Sequence, residues 1–179
     1  MRERRYNNGC VLAKQNEMFD LCNDFGTITV SNNYMHSNAL GSAKLDGTFR
    51  IDGDITDKNF PMPECKLKAG NVLRVEGYIP QNREQKITTN ECIAFLKRKN
   101  AVLVGAQGAR ILLTQKCEKF LTDCHHLSFQ EKGKFFVDRF RVSTIPSVYV
   151  EKTRIPSLTL ANAERFWEGN YLLLCFRFV

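Results

Sequence analysis

Hydrophobic and polar residues alternate most regularly over residues 66–81, KLKAGNVLRVEGYIPQ. An alternation with a period of two that includes β-branched residues predicts a strand. One face is expected to be buried and the other exposed. The buried set is Leu73, Val75 and Ile79. The exposed set is Arg74, Glu76 and Tyr78, continued past the bend at Pro80 by Gln81 and Arg83. An exposed strand face that carries arginine, tyrosine and amide groups is typical of a surface that meets phosphates and stacks bases.

Short apolar segments elsewhere in the first half predict further strands, separated by polar loops. These strands are residues 9–15, 25–30, 47–51 and 92–96, and residues 101–104 are a candidate continuation of the last one. Five evenly spaced strands predict a small closed barrel, and the OB-fold is a five-stranded Greek-key barrel that holds oligonucleotides on its middle strands and loops. The two binding loops would be residues 14–24 and 81–90.

The hydrophobic period changes after residue 111, where apolar residues recur at intervals of three and four as on a helix face. The predicted elements are a helix over 111–124, a helix over 130–141, an extended segment over 146–156, a short helix over 161–167 and an apolar strand over 171–179. The fold class expected is therefore mainly β. An OB-fold barrel occupies residues 1–105, and a mixed α/β extension with a terminal strand occupies 106–179. Because that strand is too apolar to lie free, we expect it to pair with the chain's own C-terminal half or with another copy.

Charge and hydropathy narrow the class of partner. The net charge is +7 and the sequence pI is about 9.1, which is compatible with a nucleic-acid partner but does not establish one. Mean hydropathy is −0.32, and no apolar run approaches the 18 residues that predict a membrane span. The basic N-terminus is not followed by an apolar signal-peptide segment, so we expect an intracellular protein with no membrane partner.

The sequence gives little support for metal binding or for catalysis. The seven cysteines include no CxxC pair, which favours reduced, buried thiols. Cys117, Cys124, His125 and His126 do not match zinc-finger spacing. The segment DGDITD (52–57) is better explained as an acidic turn than as a metal site. We find no nucleophile–base–acid order, so neither metal, cofactor nor catalysis is expected.

Several segments, in order along the chain, resemble the protection-of-telomeres family of single-stranded-DNA-binding proteins. They are Asp24-Phe25, Met62-Pro63 with AGNVLRVEGYIPQ (69–81), QKITT (85–89), LSFQEKGKFFVDRFRV (127–142) and PSLTL…NYLLLCFRFV (156–179). In this resemblance the last segment is similar to the start of a second barrel. Each motif is short, but together they cover most of the chain.

The resemblance implies binding of single-stranded, G-rich telomeric DNA in a basic groove, in the nucleus at chromosome ends, together with other telomere proteins. Combined with the exposed face of the central strand, it predicts a set of nucleic-acid-binding residues. They are Lys14, Gln15, Asp24, Phe25, Arg50, Arg74, Tyr78, Gln81, Arg83 and Lys86. Self-association through the terminal strand is a further expectation.

Two alternatives remain open from the sequence. The segment VDRFRVSTIPSVYV (137–150) is similar to the helix–Ile-Pro–strand segment of thioredoxin-like domains, although the redox dithiol is missing. The second alternative concerns function. With either an OB-fold or a thioredoxin-like fold, the chain would be a protein-interaction module that acts in a multiprotein assembly without nucleic acid.

Overall fold

The computed structural model describes residues 18–35, 39–40, 49–61, 67–131, 134–151 and 155–179. The predicted strand over 9–15, with Lys14 and Gln15, lies outside these residues. Most of residues 31–46, the polar loop that separates the predicted strands over 25–30 and 47–51, lie outside them as well.

A single open sheet organises the described part of the chain. Its strands are β1 (Phe19–Thr29), β2 (Arg50–Ile51), β3 (Val72–Pro80), β4 (Cys124–Leu127), β5 (Phe136–Val137), β6 (Ser143–Val150), β7 (Ser157–Asn162) and β8 (Tyr171–Phe178). The order across the sheet is β1-β3-β8-β4-β6-β7-β2, and β5 pairs with β6 outside this path. The β4–β8 and β7–β2 pairs are parallel, whereas the other pairs are antiparallel.

The prediction of a mainly β fold is confirmed, but the OB-fold is not. In the described residues the sheet is mixed and open, with β1 and β2 at its two ends. Strands from both predicted parts of the chain lie side by side, because β8 is hydrogen-bonded to β3 on one side and to β4 on the other. The segments before and after residue 105 therefore share one sheet.

Two helices cover the two faces of this sheet. Helix α2 (Gly105–Lys116) continues into a 3-10 turn at Cys117–Lys119 and packs on one face with the larger apolar cluster. Helix α1 (Thr89–Arg98) packs on the other face with a second cluster that contains Trp167. Neither helix in the described ranges is long and apolar enough to cross a membrane.

The strand predicted over 92–96 is wrong, because these residues lie inside α1. Thr88 caps the helix with a capping box: its hydroxyl accepts from the Glu91 amide, and the Glu91 carboxylate accepts from the Thr88 amide at 2.8 Å. Apolar runs of four to eight residues do not distinguish a strand from a buried helix by periodicity. The capping box is the sequence signal that would have distinguished them, and the prediction did not use it.

The helices predicted over 130–141 and 161–167 are also wrong. Residues 136–137 form β5, which leads through a turn into β6, and residues 161–162 end β7. The prediction over 111–124 is correct only to residue 116, since the 3-10 turn follows and β4 begins at Cys124. The extended segment over 146–156 agrees with β6 as far as Val150.

The apolar C-terminal strand is confirmed, and it lies near the centre of the sheet. It pairs with β4 in the chain's own C-terminal half and also with β3. Gly77 on β3 allows this close packing, because a Cβ at that position would lie 2.5 Å from Leu172 Cδ2.

Candidate nucleic-acid interface

The face of β3 that was predicted to be exposed is buried except at Arg74, and Ile79, which was predicted to be buried, is half-buried. Leu73 and Val75 are buried as expected, but Glu76 and Tyr78 are only 9% and 6% exposed. The Tyr78 ring packs on Phe95 of α1 at 5.1 Å. Because helices cover both faces of the central strands, alternation on β3 does not separate a core face from a solvent face.

Glu76 is the centre of a polar network within this packing. Its carboxylate accepts a hydrogen bond from the Tyr78 hydroxyl at 2.8 Å and pairs with the Arg177 guanidinium at 2.6 Å. Burial, followed by the hydrogen bond to Glu76, raises the pKa of Tyr78 above its ordinary value. These groups are occupied with one another, so Tyr78 is not placed to stack on a base.

Other predicted site residues also have internal roles. Phe25 is fully buried, with its ring 5.2 Å from that of Phe120. Arg74 and Asp24 form an ion pair at 2.6 Å between β3 and β1. Gln81 donates from its amide to the Asp20 carboxylate at 2.8 Å.

Arg83 and Lys86 lie together on the exposed loop between β3 and α1, with the Lys86 ammonium 5.9 Å from the centre of the Phe166 ring. Arg50 lies on β2, at the opposite end of the sheet from β1. The predicted residues that the structure describes therefore do not form one groove. They divide into the β1–β3 pair, the loop before α1, and β2.

A different set of side chains is aligned across the sheet by strand register. Tyr171 of β8 pairs with His125 of β4, His125 pairs with Tyr149 of β6, Tyr149 pairs with Ser157 of β7, and Ser157 pairs with Arg50 of β2. We call these five residues the cross-strand row. Four spacings between neighbouring strands make it about 19 Å long.

The aromatic members of the row are stacked on one another. The His125 ring is 4.4 Å from the Tyr149 ring and 5.1 Å from the Tyr171 ring, with interplanar angles of 24° and 21°. The guanidinium of Arg165 lies over Tyr171 at 4.8 Å and closes that end of the stack. Tyr149 and His125 remain half-buried, so part of each ring is accessible.

The other end of the stack opens into a small pocket of about 140 Å³ beyond Tyr149. Arg50, Glu151 and Ser157 are among its lining residues. An arginine thus lies at each end of the row, Arg165 over Tyr171 and Arg50 beside the opening.

His125, in the middle of this stack, lies in surroundings that favour its neutral form. Burial, together with the nearby charge of Arg165, lowers the pKa of His125 below its ordinary value. Its Nδ1 lies 3.3 Å from the Ser147 hydroxyl. The lowered pKa favours a neutral imidazole between the two tyrosines, so the middle of the row carries no charge.

His126, the next residue, points to the other side of the sheet and packs against Phe120 at 4.8 Å. Adjacent residues of a strand face opposite ways, which separates the two histidines. Among the residues that the structure describes, no three His, Cys, Asp or Glu side chains are placed to hold a metal ion.

Sequence reasoning missed His125, Tyr149, Arg165 and Tyr171. They lie on four separate segments, and only the strand pairing brings them into one row or, for Arg165, to its end. The alternation in STIPSVYV was visible, but the assignment of residues 111–124 to a helix hid the short strand that carries His125.

Comparison with known proteins finds no matching family model, no similar curated protein and no similar solved structure.

Proposed function

We propose that the protein binds single-stranded nucleic acid across the cross-strand row. The observation that carries the proposal is the aromatic stack of Tyr171, His125 and Tyr149 with an arginine at each end. Proteins that bind single strands combine aromatic platforms for the bases with cations that follow the phosphates.

The open end of the row suggests how a strand would be held. A base placed in the pocket beyond Tyr149 would extend the stack by one ring. Arg50 would then reach either a phosphate or the edge of the base. Arginine pairs with O6 and N7 of guanine, the commonest specific contact with a base, so Arg50 favours a guanine at this position.

The particular ligand that we propose is G-rich telomeric single-stranded DNA, bound in the nucleus at chromosome ends together with other telomere proteins. This part rests on the sequence resemblance described above. Binding of this ligand does not require an OB-fold, because the face of an open sheet can present stacking side chains just as a barrel can.

The test measures fluorescence anisotropy with a labelled G-rich telomeric oligonucleotide, a C-rich strand of equal length, and the duplex of the two. We expect the G-rich strand to bind most tightly. Tyr149→Ala should weaken binding by about 1–3 kcal/mol, the usual cost of one lost stack. Phe178→Ala is the matched control, since this aromatic is 49% exposed and lies at the opposite end of β8 from Tyr171.

Equal affinities for wild type, Tyr149→Ala and Arg50→Gln would remove the row as the binding surface. Equal affinity for the G-rich and C-rich strands, with a normal loss in Tyr149→Ala, would keep single-strand binding and remove the telomeric ligand.

A protein-interaction module is the second candidate function. Val137 and Phe140 both lie on the β5–β6 hairpin and are 54% and 71% exposed, and grouped exposed apolar side chains mark protein-contact surfaces. If no oligonucleotide binds at low salt and Phe140→Ser alters the mass of the protein in solution, this candidate replaces the first.

A further inference from the structure

A larger pocket lies apart from the open end of the cross-strand row, at the start of α1. It has a volume of about 500 Å³, within the range of pockets that hold small organic ligands. Four of its ten lining residues are apolar, two of them phenylalanines, and the other six carry hydroxyl, amide or charged groups. The apolar lining residues are Phe135, Val137, Ala163 and Phe166. We call it the α1 pocket.

Hydrogen bonds fix the three segments that form the α1 pocket. Trp167 and Ile87 exchange backbone hydrogen bonds of 2.8 and 3.2 Å, which tie the turn after β7 to the loop before α1. The Thr89 hydroxyl donates to the Ala163 carbonyl and accepts from the Trp167 indole. The Ala163 amide donates to the Ser143 carbonyl at 2.7 Å, which joins the turn to β6. The pocket is therefore formed without a ligand.

The charges at its mouth favour an anion. Arg165 lines the pocket, and Lys86 lies against the Phe166 ring on its outer side. Glu164 also lines it, so the lining residues carry one charge of each sign. Lys86 does not line the pocket, but its ammonium, 5.9 Å from the centre of the Phe166 ring, adds a second positive charge beside it. The N-terminus of α1 contributes no free anion site, because the Glu91 carboxylate already accepts from the Thr88 amide.

We propose that the α1 pocket binds a small planar apolar molecule that carries one anionic group. The aromatic walls would hold the planar body, and Arg165 with Lys86 would hold the anion. The proposal does not rest on nucleic-acid binding, although Arg165 belongs both to this pocket and to the end of the cross-strand row.

Two dyes that differ in a single group test both halves of the proposal. The first is 1-anilinonaphthalene-8-sulfonate, and the second is N-phenyl-1-naphthylamine, which lacks the sulfonate. We expect saturable fluorescence with one sulfonate dye per folded chain and weaker binding of the neutral dye. Phe166→Ala should weaken both dyes about tenfold, whereas Arg165→Gln should weaken only the sulfonate dye, about fourfold.

Phe140→Ala is the matched control. Phe140 is an exposed phenylalanine with a cation over its ring, Arg139 at 4.8 Å, but it does not line the pocket. It should bind both dyes as wild type does, and so should Tyr149→Ala. Circular dichroism melting must show each variant folded, since partly unfolded chains also bind the sulfonate dye.

Three results would overturn the proposal. The first is an absence of saturable dye binding to the folded protein. The second is equal loss of binding in Phe166→Ala and Phe140→Ala. The third is full displacement of the neutral dye by a single-stranded oligonucleotide. The neutral dye does not depend on the shared Arg165, so the pocket itself would then belong to the nucleic-acid path.

Discussion

The role of an individual side chain in this protein depends on which element packs over it. Tyr78 has the sequence context of a base-stacking residue, yet it is 6% exposed and packs on Phe95 of α1. Its hydroxyl is bound to Glu76, which also pairs with Arg177. Removing the ring would leave a cavity and deprive a buried carboxylate of one partner.

Tyr78→Ala should therefore lower the free energy of unfolding by about 3–5 kcal/mol, the usual cost of deleting a large buried ring. Urea denaturation followed by circular dichroism measures this value. Tyr149→Ala, which removes the same ring from a half-buried position, should cost clearly less. Equal small losses in both variants would mean that Tyr78 does not belong to the core.

The buried His126 makes stability depend on pH. Burial lowers the pKa of His126 to about 4, and the ring lies 3.2 Å from both the Leu121 amide and the Val148 carbonyl. Nε2 accepts from Leu121 and Nδ1 donates to Val148, which requires the neutral imidazole. In the unfolded chain the pKa returns to about 6.5.

The unfolded state therefore binds the extra proton first as pH falls. The stabilisation is complete above about pH 6.5 and is lost as pH falls toward 4, to a maximum of roughly 3 kcal/mol. Urea denaturation of wild type and His126→Gln at pH 7, 5.5 and 4 separates this effect from that of the carboxylates. If the difference between the two proteins stays constant with pH, His126 is not the titrating group.

At the scale of elements, β8 holds the sheet together. It lies between β3 and β4, and residues 171–176 are all buried. Loss of this strand would separate β1 and β3 from β4, β6 and β7 and expose both apolar clusters.

Deletion of residues 171–179 should abolish cooperative unfolding, as measured by differential scanning calorimetry. Deletion of Val179 alone is the control, because this residue is 84% exposed and should leave the melting temperature nearly unchanged. A truncated chain that kept the wild-type melting temperature would contradict the central position of β8.

At the scale of the whole molecule, a net charge of +7 attracts any polyanion, so the position of each cation matters more than the total. Arg50 borders the open end of the cross-strand row. Lys68 is also exposed, but it precedes β3, beyond the end of β8 that carries Phe178.

Arg50→Gln should reduce the slope of log affinity against log salt by about 0.7, the value for one phosphate contact to a single strand. Lys68→Gln should leave the slope unchanged. Binding titrations at four salt concentrations measure both slopes, and equal slopes for the two variants would show that the charge effect is not local to the row.

Local patterns in the sequence determined the elements whose signals are strong and self-contained. The alternation around Leu73 and Val75 predicted β3, and the apolar run after residue 170 predicted β8. The mainly β class follows from these strands. The capping box at Thr88 and Glu91 is a local signal of the same kind for α1, but the prediction overlooked it and took an apolar run of five residues for a strand.

Tertiary structure alone decided which faces are covered and which side chains meet. A period of two shows that residues alternate, but it cannot show that α1 covers the second face of β3 and buries Tyr78. The cross-strand row joins residues 50, 125, 149, 157 and 171, and their alignment depends on strand order and register. A shift of one residue in any pairing would turn a member of the row to the opposite face, so the row is a property of the assembled sheet.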